Sequence, residues 1–175
     1  MAIYMKLDKL DKITGAATVP DISGKKGLFV VGSINWGAGR PINIQVGSST
    51  NAETGSVSIS DVSISRACDG ASPYLQTYFF QPGGKGRTVD FLITKSDRAG
   101  SGLIPSMIVT IEEARMTSYM LNASGAPSED FSLAFTSLAV THYTEEDDGT
   151  VKKGDTIKFD LATAKLVSSA SLPAG

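Results

Sequence analysis

The run V-V-G-S-I-N-W-G-A-G-R-P-I, residues 30–42, sets Gly37 and Gly39 between Trp36, the chain's only tryptophan, and Arg40. Glycines beside an arginine are one of the few short patterns that can cradle a phosphate, because small residues let backbone N–H groups approach its oxygens. A dinucleotide site needs a further glycine three residues on, where Ile42 stands, and a helix behind it; a strand pattern follows instead. Neither Gly24-Lys25 nor Gly84-Lys85 is followed by Ser or Thr, so no Walker loop is present. Gly37, Gly39 and Arg40 therefore read as a strand corner whose glycines permit unusual backbone angles or close approach. Trp36 reads as a core residue.

The other candidates for chemistry are fewer still. His142 is the only histidine and lies in a strand pattern, with no G-x-S-x-G elbow to make it part of a triad. Ser23 and Lys26 satisfy S-x-x-K without the companion motifs of that chemistry. Glu112-Glu113 and Glu129-Asp130 are sequence neighbours, and neighbours on a strand point to opposite faces, so they do not form an acid/base pair. Residues 145–149, E-E-D-D-G, lack the alternating order of a calcium loop and read as a solvated hairpin turn. Asn122-Ala123-Ser124 is a glycosylation triplet of a kind frequent by chance, and Cys68, the sole cysteine, reads as a small core residue. No catalytic, cofactor or metal site is expected, and the chain is not read as an enzyme.

The elements that would position any site are strands. Period-two apolar patterns run through Ile3, Met5 and Leu7, then Leu28, Val30, Ile34 and Trp36, then residues 42–46, 57–66, 89–95, 107–121, 131–143 and 157–161. The apolar parity changes between Ile59 and Val62, which predicts a bulge near Ser60 and Asp61. Residues 71–84 alone break the pattern: Ser72 as cap, Pro73 at the first turn, and Tyr74, Leu75, Tyr78 and Phe79 on one stripe predict a short helix, with Leu75 and Phe79 in the core. The fold class is mainly β, an antiparallel barrel of about eight strands with one flanking helix. Residues 1–175 read as one domain with a frayed tail from Ser168.

With 16 Lys and Arg against 18 Asp and Glu, the chain lacks the basic field that nucleic acid or an anionic membrane attracts. The N-terminus alternates apolar and charged residues and has no signal-peptide core, so export without cleavage is expected. No segment suits membrane insertion. Residues 46–56, V-G-S-S-T-N-A-E-T-G-S, form a long polar loop, and loops of this length are usually functional.

M-A-I-Y-M-K-L-D, V-G-S-I-N-W-G-A-G-R, A-S-P-Y-L, I-E-E-A-R-M-T-S-Y-M, P-S-E-D-F-S-L-A-F-T and F-D-L-A-T-A-K occur in that order from Met1 to Lys165. Together they closely resemble the hemolysin-coregulated proteins, the inner-tube subunits of the bacterial type VI secretion system. The resemblance implies a β-barrel with one helix, hexameric rings that stack into a tube, and a pore that carries and protects small effector toxins. It implies as partners the chain itself, the valine-glycine repeat spike protein and the contractile sheath. The subunit would reside in the cytoplasm before firing and be secreted afterwards. It also implies that Ser48, Ser49, Thr50, Asn51, Ala52 and Glu53 reach towards neighbouring subunits. The segment T-G-A-A-T-V-P-D-I-S-G-K-K, residues 14–26, departs from the family pattern. The reading from a different class is a secreted carbohydrate-binding β-sandwich module with Trp36 or tyrosines as stacking platform, and the position of Trp36 discriminates the two.

Overall fold

Alternating apolar and polar residues make strands with one buried face. The computed structural model, which describes residues 1–12, 15–44, 46–47, 51–53, 55–170 and 172, is built largely from them. Its ten-stranded principal sheet comprises β1 (Ala2–Leu7), β2 (Leu28–Val31), β3 (Ser33–Asn35), β4 (Val62–Ala67), β5 (Arg87–Ser96), β6 (Leu103–Asn122), β7 (Ser128–Ala134), β8 (Ser137–Glu145), β9 (Val151–Asp160) and β10 (Lys165–Ser168). One helix, α1 (Ser72–Phe80), joins β4 to β5.

The ladders close on themselves. β1 pairs with β2 and with β5; β5 pairs with β6, β6 with β7, β7 with β4, and β4 with β3. Because β2 and β3 are one strand broken at Gly32, this circuit is a barrel. At the break the Gly32 N–H donates to Ser65 O at 2.9 Å, and a side chain there would begin 3.0 Å from that oxygen, a spacing that suits glycine. The 20-residue β6 serves two bodies: its residues 115–122 pair with β7 in the barrel, while 107–112 pair with β8. From β8 the sheet continues through β9 to β10 as a wing.

The barrel interior holds Met5, Phe29, Val62, Phe91, Ile111, Phe131 and Leu133, all at most 2% exposed. Each such side chain contributes about 1.5–3 kcal/mol by leaving water. The expected common face of Leu28, Val30, Ile34 and Trp36 is not formed. Phe29 and Val31 point inward, and the break at Gly32 lets Ile34 pack against the same interior. Leu28 lies on the outside of the barrel with Tyr4, Leu92 and Ile108, beneath Ile22 and Ala17. The segment that departs from the family pattern thus straps the outer wall, with its short ladder of Asp21–Ile22 on Lys25–Lys26 and a Lys25 Nζ to Asp90 contact of 2.7 Å.

The helix starts where Pro73 allows, but Ser72 does not cap it. No side-chain cap bond is formed: Asp69 accepts from the Ala71 N–H at 2.8 Å ahead of the first turn, while the Ser72 hydroxyl donates to Glu129 at 2.9 Å. Leu75 (1% exposed) and Tyr78 are buried against the barrel, and the Tyr78 hydroxyl donates to Ala114 O. Phe79 is half-buried and stacks on Tyr119 at 6.2 Å, and Tyr74 is exposed rather than on the buried stripe. Ser60 and Asp61 separate Ser58–Ile59 from β4, which is where the parity change placed a bend. The tail does not fray at Ser168: β10 includes it, and the Ser169 N–H donates to Thr156 O at 3.0 Å.

Candidate assembly surfaces

Between β3 and β4 the chain leaves the barrel as an arm. Its two legs pair with each other, Ala38–Gly39 with Ser58–Ile59 and then Ile42–Ile44 with Asn51–Glu53. At its root the Gly37 N–H donates to Ser60 Oγ at 2.9 Å, and the Ser60 N–H returns to Gly37 O at 2.8 Å. Ile42 is 57% exposed and Val46 fully exposed, so the arm presents apolar side chains to solvent. Ser48, Ser49 and Thr50 lie outside the described residues; the backbones of Asn51, Ala52 and Glu53 form the returning leg. The glycines of the corner need no special backbone. Neither Gly37 nor Gly39 has a positive φ, and a Cβ would meet nothing nearer than Ser58 Oγ at 3.7 Å beside Gly39. Arg40 is exposed between the two ladders of the arm.

Trp36 is not in the core. It is 40% exposed at the root of the arm, where it lines a groove of about 390 Å³ with Ala38, Val57, Ile59, Met107, Leu138, Val140, His142, Ile157 and Phe159. Its strand parity was read through the break at Gly32, which reassigns the faces. The groove lies between the arm and the wing sheet, and among the described residues His142 is its only titratable side chain. A sugar platform needs several hydrogen-bonding groups around its aromatic ring, and this lining does not provide them. A second groove, of about 320 Å³, runs over β3, β4, β7 and the far half of β6; Ser33, Ser63, Ser65, Ser118 and Ser132 line it with Asn35 and Asp130, beside Ile64, Tyr119, Met120 and Phe131.

The densest polar cluster is internal. Arg66 (2% exposed) and Glu129 (0%) face each other across the β4–β7 ladder, with Arg66 Nη1 2.5 Å from Glu129 Oε1. Arg66 also donates to Val30 O at 2.9 Å and to Asp69 at 2.5 Å, and its guanidinium lies over the Phe29 ring. Glu129 further accepts from Ser72 Oγ at 2.9 Å and from the Tyr119 hydroxyl at 2.6 Å. Every polar atom named is matched, so the cluster fastens helix, strap and barrel together instead of offering a free catalytic group. Burial pushes the Tyr119 hydroxyl up to about 12, helped by the carboxylate beside it. For Asp69, burial acts upward but is outweighed by donors from Ala16, Arg66 and Ala71, which hold its carboxyl below the usual range.

Sequence reasoning missed this cluster, although its signal was present. Arg66 follows Val62 and Ile64 at the inward parity of β4, and Glu129 precedes Phe131 and Leu133 at that of β7. An opposite charge at the end of each of two apolar faces is what a buried cross-strand pair looks like. The remaining candidates stay apart. Glu145 meets Lys95 at 2.5 Å and Arg98 at 3.2 Å, Glu112 meets Lys158 at 2.9 Å, and Cys68 is half-buried. Among the described residues no group of three His, Cys, Asp or Glu could hold a metal ion, and no helix is long and apolar enough to cross a membrane.

Comparison with known proteins gives the barrel, arm and wing a context. A structure described as a type six secretion system protein superposes with a TM-score of 0.75 at 22% identity, covering 95% of this chain and 99% of its own. Hcp1 from Salmonella typhimurium follows with 0.66, 19%, 95% and 98%, and the secreted protein Hcp3 from Pseudomonas aeruginosa with 0.56, 16%, 91% and 97%. At these identities the likeness is one of fold. No curated protein matches the chain. The model of the family described as type VI secretion system effector, Hcp, matches residues 4–142, most of the sequence, and the chain belongs to that family.

Proposed function

We infer that copies of this type VI secretion tube subunit close into a hexameric ring through the arm and the sheet edges, and that rings stack into a tube with no catalytic step of its own. The observation that carries the reading is the arm: among the described residues its strands pair with each other and not with the barrel, and Ile42 and Val46 project from it. An element that adds so little to its own domain is explained by what it touches outside. The wing offers a second surface, since β10 is an open edge carrying Leu166 (62% exposed) and Val167 (68%). A ring needs two such different patches on each subunit, because heterologous contacts alone close by rotation.

Within that reading the serine-bearing groove is the face assigned to the lumen, since the hydroxyls of Ser63, Ser65, Ser118 and Ser132 keep the wall wetted around the exposed Met120. Small effector toxins are the cargo, and the valine-glycine repeat spike protein and the contractile sheath are the partners outside the tube. The subunit is held in the cytoplasm until firing and is then secreted. Native mass spectrometry with negative-stain imaging tests the assembly. Hexameric rings with a central hole support it, and a monomer across micromolar concentrations overturns it.

A further inference from the structure

A groove at one end of the barrel and a turn at the other differ in charge and shape. Antiparallel registers locate them: Leu7 opposite Val89, Arg87 opposite Ala114 and Glu112 opposite Ser137 mark one end, while Ala2 opposite Thr94, Met107 opposite His142 and Glu145 opposite Val151 mark the other. β8 runs from the first end to the second, and its length from Ser137 to Glu145 separates them by about 26 Å at ~3.3 Å per residue.

At the first end a groove of about 360 Å³ opens between α1 and the end of β1. Leu10, Tyr74 and Tyr78 form its apolar walls, and Lys9, Arg87 and Gln81 its polar rim. Arg87 is held in place by donation to Asp8 O at 3.0 Å and by lying over the Tyr78 ring at 5.9 Å. Lys9 is exposed and stands at φ 64, a conformation that few non-glycine residues adopt and that turns it out at the rim. Lys85, in the loop between the helix and β5, is exposed as well. Of the acids near this end, Glu113 on β6 is engaged by the Gly86 N–H at 3.0 Å and Asp11 by Lys6 at 2.8 Å.

At the second end the β8–β9 turn carries Glu146, Asp147 and Asp148, all exposed. Asp148 braces the turn by accepting from the Thr150 N–H at 2.8 Å, which holds its carboxyl below the usual range. Glu146 is only loosely paired, with Lys152 at 3.4 Å. A narrow acidic turn at one end and a cationic, aromatic-walled groove at the other are complementary in sign.

We propose that the groove of Lys9, Tyr74 and Arg87 is a docking site for the acidic β8–β9 turn of a second copy of this chain. The contact is heterologous and joins opposite ends, so it propagates along the strand direction and gives a polar stack. One such pair is weak at a solvated surface, but a ring repeats it at every subunit and the repeats act together. The proposal rests on the ring reading above and specifies how one ring meets the next.

Charge reversal tests it on the full chain. Lys9→Glu with Lys85→Glu, or Glu146→Lys with Asp147→Lys, should each raise the concentration at which stacks form by about tenfold at low salt, leaving rings intact. All four substitutions in one chain should restore stacking to within about threefold of wild type, because the signs again oppose. Negative-stain stack lengths and sedimentation report stacking; native mass spectrometry reports rings, and circular dichroism the fold. Stacking that is unchanged by either reversal, or that the combination does not recover, overturns the proposal while leaving the ring reading in place. Rings that never associate at low ionic strength overturn it too, whereas absence of rings in the wild type overturns the ring reading itself.

Discussion

The barrel wall and the arm that leaves it are adjacent in sequence and opposite in construction. In the wall, Arg66 and Glu129 are buried together and satisfied by Ser72, Tyr119 and Asp69, and the apolar side chains around them are almost wholly covered. In the arm, short ladders hold two legs together while Ile42, Val46 and part of Trp36 stay in water. A fold that buries charge so completely at one place does not leave apolar groups exposed nearby for want of packing. On the proposed reading, the difference separates residues that make the subunit from residues that make the assembly.

Substitutions should divide along the same line, and the largest effects belong to the wall. Glu129→Ala leaves the Arg66 guanidinium buried without its main partner and should cost about 3–5 kcal/mol, read from urea unfolding. Leu75→Ala removes the side chain that anchors α1 and should cost about 3 kcal/mol, with the helix signal lost first. Tyr119→Phe removes a single donor to Glu129 and should cost about 1–2 kcal/mol near neutral pH. This last change also has a pH signature. The Tyr119 hydroxyl, raised from 10.0 to about 12, donates only while protonated, so its contribution is complete below its unfolded value and is lost as pH rises through the folded one. Wild-type stability should therefore fall more steeply than that of Tyr119→Phe between those two values.

Near the arm the effects on the fold should shrink. Trp36→Ala should cost only about 1 kcal/mol, because the ring is partly solvated, whereas a loss of about 3–5 kcal/mol would return it to the core. Its quenching by a soluble quencher should be substantial, and addition of sugars should leave its emission unchanged.

The boundary between the two regions was only partly legible in the sequence. Period-two alternation located the strands because the pleat enforces it, and Pro73 marked the start of the helix. Parity carried across Gly32 failed, since a broken strand exchanges its faces there, and Trp36 was misplaced with it. The Ser72 cap failed because a buried carboxylate fifty-seven residues away, Glu129, competes for its hydroxyl. The cluster of Arg66 and Glu129 could have been found from inward parity on two strands, but their pairing depends on a register that sequence spacing alone does not set. In the arm the legs around Ile42–Ile44 and Ser58–Ile59 show an alternation, whereas Asn51–Glu53 reads as part of a loop because three residues are too few to show a period.

The most direct test of the account replaces residues 48–54 with an Asn-Gly turn and follows both fold and assembly. The account predicts a circular dichroism spectrum and urea midpoint close to wild type, together with loss of rings by native mass spectrometry at concentrations where wild type forms them. A shortened chain that still forms rings as readily as wild type, or one that no longer folds, would contradict the division between a barrel that makes the subunit and an arm that makes the tube.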